Sequence, residues 1–369
     1  MDFELTDEQR QFRDTLGRYL DNTFEDRRRA ARSGPGVDEA CWHRLAELGL
    51  LALPVPAEYD GLSGDMSDML VVMEEMGRGL MTEPYWATVV AIEALRVAGG
   101  EAAQALLSSV AQGSSKLSVA FHEPYARYDL SEIATVAESR DGNWALTGEK
   151  SMVQHGAEAD YWIVPARTDA GTGLFLVARA APGAAVTGYR TIDGQRAANL
   201  SFNGTPARAV GDLAQGQEIL EHVADYACVL LCAEAVGALD ALNLATVQYT
   251  REREQFGGPI ARFQALQHRM AEMWIQAQQA RSITYLAAAS QRSASPSERR
   301  RVVSAAKARV GQAARFVGEQ AVQLHGGMGV SNEVTAAHWF KRLSIISCTL
   351  GDVDHHLARF SGHSARAGG

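Results

Sequence analysis

Cysteine is scarce in this chain of 369 residues, and basic charge is outweighed by acidic charge. The four cysteines, Cys41, Cys228, Cys232 and Cys348, form no Cys-x-x-Cys pair and have no histidine at zinc-finger spacing. Neither a disulfide framework nor a metal site is therefore predicted. The net charge of −9 argues against a nucleic-acid partner and offers no basic footprint to a membrane surface.

Long hydrophobic runs are also missing. No apolar stretch reaches the roughly 18 to 20 residues of a membrane span, and the acidic start Met1-Asp-Phe-Glu4 lacks signal-peptide character. These absences predict a cytoplasmic protein with no membrane partner. Hydrophobic residues make up 46% of the chain and charged residues 21%, which is ordinary for a globular protein. The length then predicts two or three compact units.

The hydrophobic pattern predicts helices, then strands, then helices again. Thr6-Asp-Glu-Gln9 is a capping box, which marks a helix start, and helical spacing continues through the N-terminal third. From about Leu117, short apolar runs are separated by Gly, Asp, Asn and Pro, as in strands and hairpins. Near Gly216 the pattern returns to long helices. The predicted domains are 1–116 (helical), 117–215 (β) and 216–369 (helical).

Three segments resemble the acyl-CoA dehydrogenase family, in the family's order. They are Arg253-Glu-Gln-Phe-Gly257 with the following 263–273, Gln323-Leu-His-Gly-Gly-Met-Gly329, and 45–80 with its Leu-Gly-Leu, Glu-Tyr-Asp-Gly and Glu-Glu-Met-Gly motifs. The resemblance covers nearly the whole chain. It implies an FAD-dependent oxidoreductase acting on an acyl-CoA thioester. The implied fold is α+β, with an N-terminal helical domain, a middle β-sheet or barrel domain and a C-terminal four-helix-bundle domain.

The chemistry of the first two segments suits a flavin. Arg253 carries a planar, permanent charge suited to a pyrophosphate, and Phe256 offers a flat apolar surface. Gly326 and Gly327 allow backbone amides to approach anionic oxygens without interference from a Cβ. By resemblance, these residues and Gln323 contact the FAD of a neighbouring subunit.

The residues that by resemblance hold the chain's own FAD depart from the family pattern. The family's Thr-Glu-Pro-Gly-x-Gly-Ser-Asp is replaced by His122-Glu-Pro-Tyr-Ala-Arg-Tyr-Asp129, in which bulky residues take the place of small ones. The family's Lys-x-Trp-Ile-Thr-Asn-Gly is replaced by Lys150-Ser-Met-Val-Gln-His-Gly156. The candidate contacts to this FAD are Phe121, His122, Met152 and Gln154.

The most informative departure concerns the catalytic base. By resemblance, a glutamate stands just before Gly351, where this chain has Leu350, or on an earlier helix, where it has Ala227. Neither side chain can accept a proton. Asp352 is the nearest acid and a candidate displaced base, and Asp225, which matches the family, is a candidate substrate contact. Because a positioned general base is worth roughly 10² to 10⁴ in rate, unaided desaturation should be slow.

Three functions remain open at this point. The chain most resembles the base-lacking subunits of heteromeric family members, such as the small subunit of pimeloyl-CoA dehydrogenase. In that case a homologous partner in a heterotetramer supplies the glutamate, and an electron-transfer flavoprotein accepts the electrons. Alternatively, the chain is a homo-oligomeric flavin oxygenase or oxidase that acts on a CoA thioester with oxygen as acceptor. The third function is that of a non-catalytic assembly subunit.

Overall fold

A computed structural model describes residues 5–33, 36–140, 142–293 and 295–362 of the chain, so the acidic tetrapeptide Met1–Glu4 lies outside it. The chain divides into two compact units. The first unit comprises Met1–Phe24, Met66–Met81 and Cys228–Gly369, and the second comprises Glu25–Asp65 and Thr82–Ala227.

Helices occupy the N-terminal and C-terminal parts of the chain. The N-terminal helices are α1 (Asp7–Ser33), α2 (Glu39–Glu47), α3 (Met66–Arg78), α4 (Tyr85–Ala98) and α5 (Glu101–Ala111). The C-terminal helices are α6 (Gly216–Glu252), α7 (Gln264–Ser293), α8 (Pro296–His325), α9 (Thr335–Cys348) and α10 (Val353–Phe360). Short 3-10 helices span Ala57–Tyr59, Leu213–Gln215, Ile260–Arg262 and Gly326–Val330.

The predicted capping box begins α1. The Thr6 N–H donates to Gln9 Oε1 and the Gln9 N–H donates to Thr6 Oγ1, each at 3.1 Å. Each side chain thus satisfies a backbone donor that the first turn of a helix leaves without an acceptor.

Strands form the middle of the chain. They are β1 (Leu117–Val119), β2 (Val136–Arg140), β3 (Asn143–Gln154), β4 (Tyr161–Thr168), β5 (Gly171–Ala178), β6 (Ala184–Arg190) and β7 (Arg196–Val210), followed by the short β8 (Glu254–Gln255) and β9 (Gly258–Pro259). In the large sheet the order is β1-β4-β2-β3-β7-β5, with β6 paired to β7. Because β5 also pairs with β4, five of the strands close on themselves. The enclosed core includes Trp162, Phe175, Leu200 and Phe202.

Helix α6 corrects one expectation from the sequence. Among the described residues, the segment Leu213–Glu252 is long and apolar enough to cross a membrane by length and composition, contrary to the expectation that no stretch would be. However, 83% of the most apolar 18-residue stretch of this segment is buried inside the protein. A helix that is buried on all sides needs apolar residues all round, and this burial accounts for the composition.

Two glycines allow α3 and α6 to cross closely in the first unit. A Cβ on Gly77 would lie 1.8 Å from the backbone oxygen of Glu234, and a Cβ on Gly237 would lie 1.8 Å from that of Glu74. The Glu234 side chain also binds Arg342 of α9 through two buried contacts, Nε–Oε1 at 2.6 Å and Nη2–Oε2 at 2.7 Å. Three helices therefore meet at Glu234.

The close crossing predicts that Gly77→Ala is strongly destabilising. The new methyl group would overlap the Glu234 carbonyl, so α3 must shift, and we expect a loss of about 3 kcal/mol or more in the free energy of unfolding. Urea denaturation provides the measurement. Gly36→Ala is the matched control, because a Cβ there meets no atom within 4 Å, and its midpoint should equal that of the wild type. Equal midpoints for both variants would contradict the close crossing.

Candidate functional site

A tight hairpin presents Phe256 at the C-terminal end of α6. Strands β8 and β9 are antiparallel, and Phe256 and Gly257 form the two-residue loop between them with φ of +56° and +83°. A loop with positive φ at both positions is typical of a type I′ turn, and this conformation is uncommon for phenylalanine. The Arg262 guanidinium donates to the backbone oxygens of both loop residues, which holds the turn in place.

The hairpin exposes an aromatic ring beside an unpaired cation. Phe256 is 83% exposed, and the Phe263 ring lies edge-on beside it, 6.0 Å away between centroids. Within the described part of the chain, the exposed Arg253 side chain has no hydrogen-bond or ion-pair partner. With 83% of its surface exposed, Phe256 contributes little packing to the unit in return for its strained backbone. A binding role explains its conformation better than a structural one.

The glycine-rich turn after α8 lies at the same end of the first unit. The Tyr249 ring, one helical turn before Arg253, stacks on His325 with centroids 4.4 Å apart, and its hydroxyl donates to the His325 backbone oxygen at 3.3 Å. Gly326 then turns the chain with φ of +62°. A Cβ added to Gly326 or to Gly327 would meet no atom within 4 Å, so both glycines border open space.

These residues fit the pyrophosphate and adenine end of FAD. Arg253 supplies positive charge, and the amides near Gly326 and Gly327 can be reached by an anionic oxygen. Phe256 supplies a flat ring surface. Gln323 is exposed in the last turn of α8, and its backbone oxygen accepts the Gly326 N–H. The fold thus brings the two sequence segments together at one end of the unit.

In the second unit, a buried ion pair anchors the loop that precedes β2. Glu123 Oε1 accepts hydrogen bonds from Lys150 Nζ at 2.7 Å and from the Thr135 N–H at 3.0 Å, and Oε2 accepts the Ala134 N–H at 2.6 Å. Burial lowers the pKa of Lys150 to about 8, although Glu123 opposes the shift. The loop that carries His122 is therefore fixed to β3.

Two bulky residues in this loop retain a backbone suited to glycine. Tyr125 and Arg127 stand where the family pattern has its two glycines, and their φ angles are +73° and +51°. Left-handed conformations are costly for both residue types. The Tyr125 side chain is fully exposed, whereas Phe121 is buried and the His122 and Tyr128 rings meet edge to face, 6.4 Å apart between centroids. The loop therefore keeps the family's path with different side chains.

A bulge in β3 turns Met152 towards solvent. The register of β3 against β7 shifts between Lys150 and Val153. Met152 has φ of +52° and is 52% exposed, and its N–H donates to Asn199 Oδ1 at 3.2 Å. Bulges of this kind commonly redirect a side chain beside a functional site.

Two residues that the sequence did not indicate share this face of the sheet. These residues are Tyr189 of β6 and Asn199 of β7. Gln154 of β3 and Tyr189 both pair with Ala197 of β7, so their side chains lie on one face of the sheet, and the side chain of Asn199, two residues after Ala197, lies on the same face. The Tyr189 hydroxyl donates to Asn199 Oδ1 at 3.4 Å. Met152 and Gln154 thus belong to a larger polar and aromatic surface. Only the strand register shows that these residues share a face, because no sequence motif links them.

The first of the two positions at which the resemblance predicts a base is a buried leucine with an unusual backbone. Leu350 follows α9, is 7% exposed and has φ of +57°. Its backbone oxygen accepts a hydrogen bond from His356 Nε2 at 3.1 Å. Lys307 of α8 donates to the backbone oxygens of Ile346 at 2.8 Å and of Gly351 at 3.0 Å. Neither Lys307 nor His356 was indicated by the sequence, since neither lies in a motif.

The remaining positions considered for the base or the substrate are buried or have structural roles. Ala227 is fully buried in α6, and its backbone oxygen accepts the Trp86 Nε1–H at 3.3 Å. Asp225 is 1% exposed. Asp352 caps α10, because its Oδ1 accepts the His355 N–H at 2.9 Å. The catalytic role considered for Asp352 would compete with this cap.

The comparisons with known proteins identify the family. Models of the acyl-CoA dehydrogenase N-terminal, middle and C-terminal domains match residues 6–114, 118–205 and 214–359. The chain belongs to the acyl-CoA dehydrogenase family of FAD-dependent oxidoreductases. The fold predicted from the sequence, with N-terminal helices, a middle β domain and C-terminal helices, is confirmed, and so is FAD as the cofactor. The exact domain boundaries remain a prediction.

Several relatives are similar along most of their length. Benzylmalonyl-CoA dehydrogenase of Aromatoleum aromaticum is 29% identical over 291 residues, which are 74% of this chain and 76% of that protein. A variant of the Tcur3481-Tcur3483 steroid ACAD superposes with a TM-score of 0.88 and 30% identity, over 96% of this chain and 97% of that one. The ChsE4-ChsE5 complex from Mycobacterium tuberculosis gives a TM-score of 0.90 with 26% identity, over the full length of both chains.

The burial of His356 predicts a loss of stability in acid. Burial, with Lys307, His355 and Arg359 nearby, lowers the pKa of His356 to about 2. Between pH 6.5 and 2 the unfolded chain therefore binds a proton that the folded chain does not, so stability falls as the pH falls. From pH 7 to pH 5, wild type should lose about 2 kcal/mol more than His356→Gln in urea denaturation. His268→Gln, at an exposed histidine, should behave as wild type; equal losses in all three proteins would refute the assignment.

Proposed function

We propose that this chain is a base-lacking subunit of a heteromeric acyl-CoA dehydrogenase. The observation that carries the proposal is the pair of apolar residues, Leu350 and Ala227, at the two positions where the family places its glutamate, in a chain that retains a surface suited to FAD. If both the base and the cofactor surface were lost, the chain would have lost its role in the reaction altogether. Loss of the base alone fits a division of labour between two homologous chains.

The chemistry explains why a partner is needed. Desaturation of an acyl-CoA removes a proton from the α-carbon and a hydride from the β-carbon, and it yields a trans-2-enoyl-CoA. Bound FAD supplies the two-electron acceptor, and an electron-transfer flavoprotein takes the electrons onward. The α-proton needs a carboxylate, which neither Leu350 nor Ala227 provides. A glutamate of the partner chain, in the partner's own site, fills this role.

This chain's contribution is to bind the far end of the partner's FAD. Arg253, Phe256, Gly326 and Gly327 share one end of the first unit, and their charge, flat surface and open backbone suit a dinucleotide. Two of the similar structures are named as complexes of paired components, Tcur3481-Tcur3483 and ChsE4-ChsE5, which supports a paired assembly here.

Co-expression tests the division of labour. We expect the chain, produced with a homologous chain that carries the glutamate, to purify as a complex whose FAD is bleached anaerobically by acyl-CoA. Butyryl-CoA, octanoyl-CoA and 3-phenylpropionyl-CoA are suitable probes. The chain alone should bleach at least about 10²-fold more slowly, because it lacks a positioned base.

The controls separate the alternatives. Replacing the partner's glutamate by glutamine should abolish bleaching while the FAD content stays constant. Bleaching of the lone chain at the rate of the complex would disprove the need for a partner. Rapid oxygen consumption by the lone chain would instead favour the oxygenase.

The FAD surface makes a separate prediction. In the complex, Arg253→Met and Phe256→Ala should each lower the FAD content per partner chain after dialysis, because the cofactor loses a charge contact or a stacking surface. Absorbance at 450 nm provides the measurement. Arg251→Met is the matched control, since Arg251 is an exposed arginine at the end of the same helix and should leave the FAD content unchanged. Equal FAD content in all variants would count against the proposed surface.

A further inference from the structure

The end of α9 is held by the amino group of a single buried lysine. The last carbonyls of a helix have no partner within the helix. Lys307, 1% exposed, donates from Nζ to the backbone oxygens of Ile346 at 2.8 Å, Ser347 at 3.4 Å and Gly351 at 3.0 Å. Burial lowers the pKa of Lys307, and in its protonated form the side chain has three donors for these three acceptors. A positive charge at a helix C-terminus is also electrostatically favourable.

His356 holds the same segment from α10. Its Nε2–H donates to the Leu350 backbone oxygen at 3.1 Å, so the ring is the Nε2-protonated tautomer. Gly351 lies against this ring, because a Cβ there would come within 2.5 Å of His356 Nε2. The consecutive backbone carbonyls of Leu350 and Gly351 are thus bound by two different helices, α10 and α8.

The backbone between these contacts is strained for its residue. Leu350 has φ of +57°, in a region that L-residues other than glycine, asparagine and aspartate rarely adopt. A buried leucine could pack with an ordinary backbone, so its own side chain does not explain the conformation. The neighbours impose it, and strain of this kind is concentrated at functional positions.

We propose that Lys307 and His356 are positioning residues that hold position 350 in the backbone geometry of a proton acceptor, so that this chain lacks the side chain of the base but keeps its support. The inference rests on the proposed function, because it takes position 350 as the family's base position. It adds that one substitution separates the chain from proton abstraction in its own site.

A gain of function tests the geometry. In the complex, with the partner's glutamate replaced by glutamine and excess FAD present, Leu350→Glu should raise acyl-CoA bleaching at least about 10²-fold over the same complex with Leu350. Leu350→Gln is the matched control, because it has the same shape without a proton acceptor, and it should give no gain. No gain from the glutamate, with FAD bound, overturns the inference.

A second series tests the two positioning residues in the Leu350→Glu background. His356→Gln keeps a donor at the reach of Nε2 and should retain the gained kcat, whereas the shorter His356→Asn should lose most of it with KM unchanged. Lys307→Met should act like His356→Asn. Lys341→Met removes a lysine of α9 whose side chain, among the described residues, bonds only that of Asn332, and it should have no effect. A gain that survives both His356→Asn and Lys307→Met overturns the assignment.

Thermal melting tests the same support without a substrate. Glycine tolerates positive φ and alanine does not, so Leu350→Gly should melt about 1–3 °C above Leu350→Ala. In the His356→Asn background the difference should vanish, because the segment can relax. A difference unchanged by His356→Asn overturns the inference. Failure of the proposed function would appear in a different experiment, the co-expression test, as bleaching by the wild-type chain alone at the rate of the complex.

Discussion

The backbone at position 350, which we propose as the base position, depends on how the end of helix α9 is anchored. Carbonyls left unpaired in a protein interior are costly, and Lys307 satisfies several of them with one buried ammonium group. Elsewhere on α9, Arg342 binds Glu234 of α6 through a buried bidentate pair. Removing one partner from either contact would leave a buried polar or charged group without its partner. The cost in stability would then exceed that of a single lost hydrogen bond. Helix α9 and the segment after it therefore have little freedom, whatever side chain stands at position 350.

Under the proposed function, that rigidity accounts for a base position that has lost its carboxylate and kept its backbone. Leu350, Tyr125 and Arg127 all keep left-handed backbones that none of these residue types favours. By resemblance, all three stand at positions of the family's own sites. Neighbours such as Lys307, His356 and the Glu123–Lys150 pair hold the backbone at these positions. Their contacts do not involve the side chains of Leu350, Tyr125 or Arg127. At these three positions the backbone therefore does not depend on the side chain that stands there.

Much of the fold could be predicted from the sequence, because it depends on local patterns. The capping box at Thr6 and Gln9 and the change from helical to strand spacing near Leu117 need only neighbouring residues. The character of α6 was misjudged, since scattered polar residues interrupt a helix that is buried on nearly all sides. Tyr189 and Asn199 were missed because their shared face follows from strand register, which pairs residues far apart in the chain.

The family, the order of helices and strands, and the lack of a carboxylate at positions 350 and 227 follow from the amino-acid sequence, because each is a matter of residue identity along the chain. The folded structure was needed to show that Tyr249 and His325 join the Arg253 and Gly326 segments at one end of a unit. It also decided that Leu350 has a strained backbone held from two other helices. Hydrogen bonds between distant residues fix these conformations, and no local pattern records which distant carbonyl a buried lysine or histidine will reach.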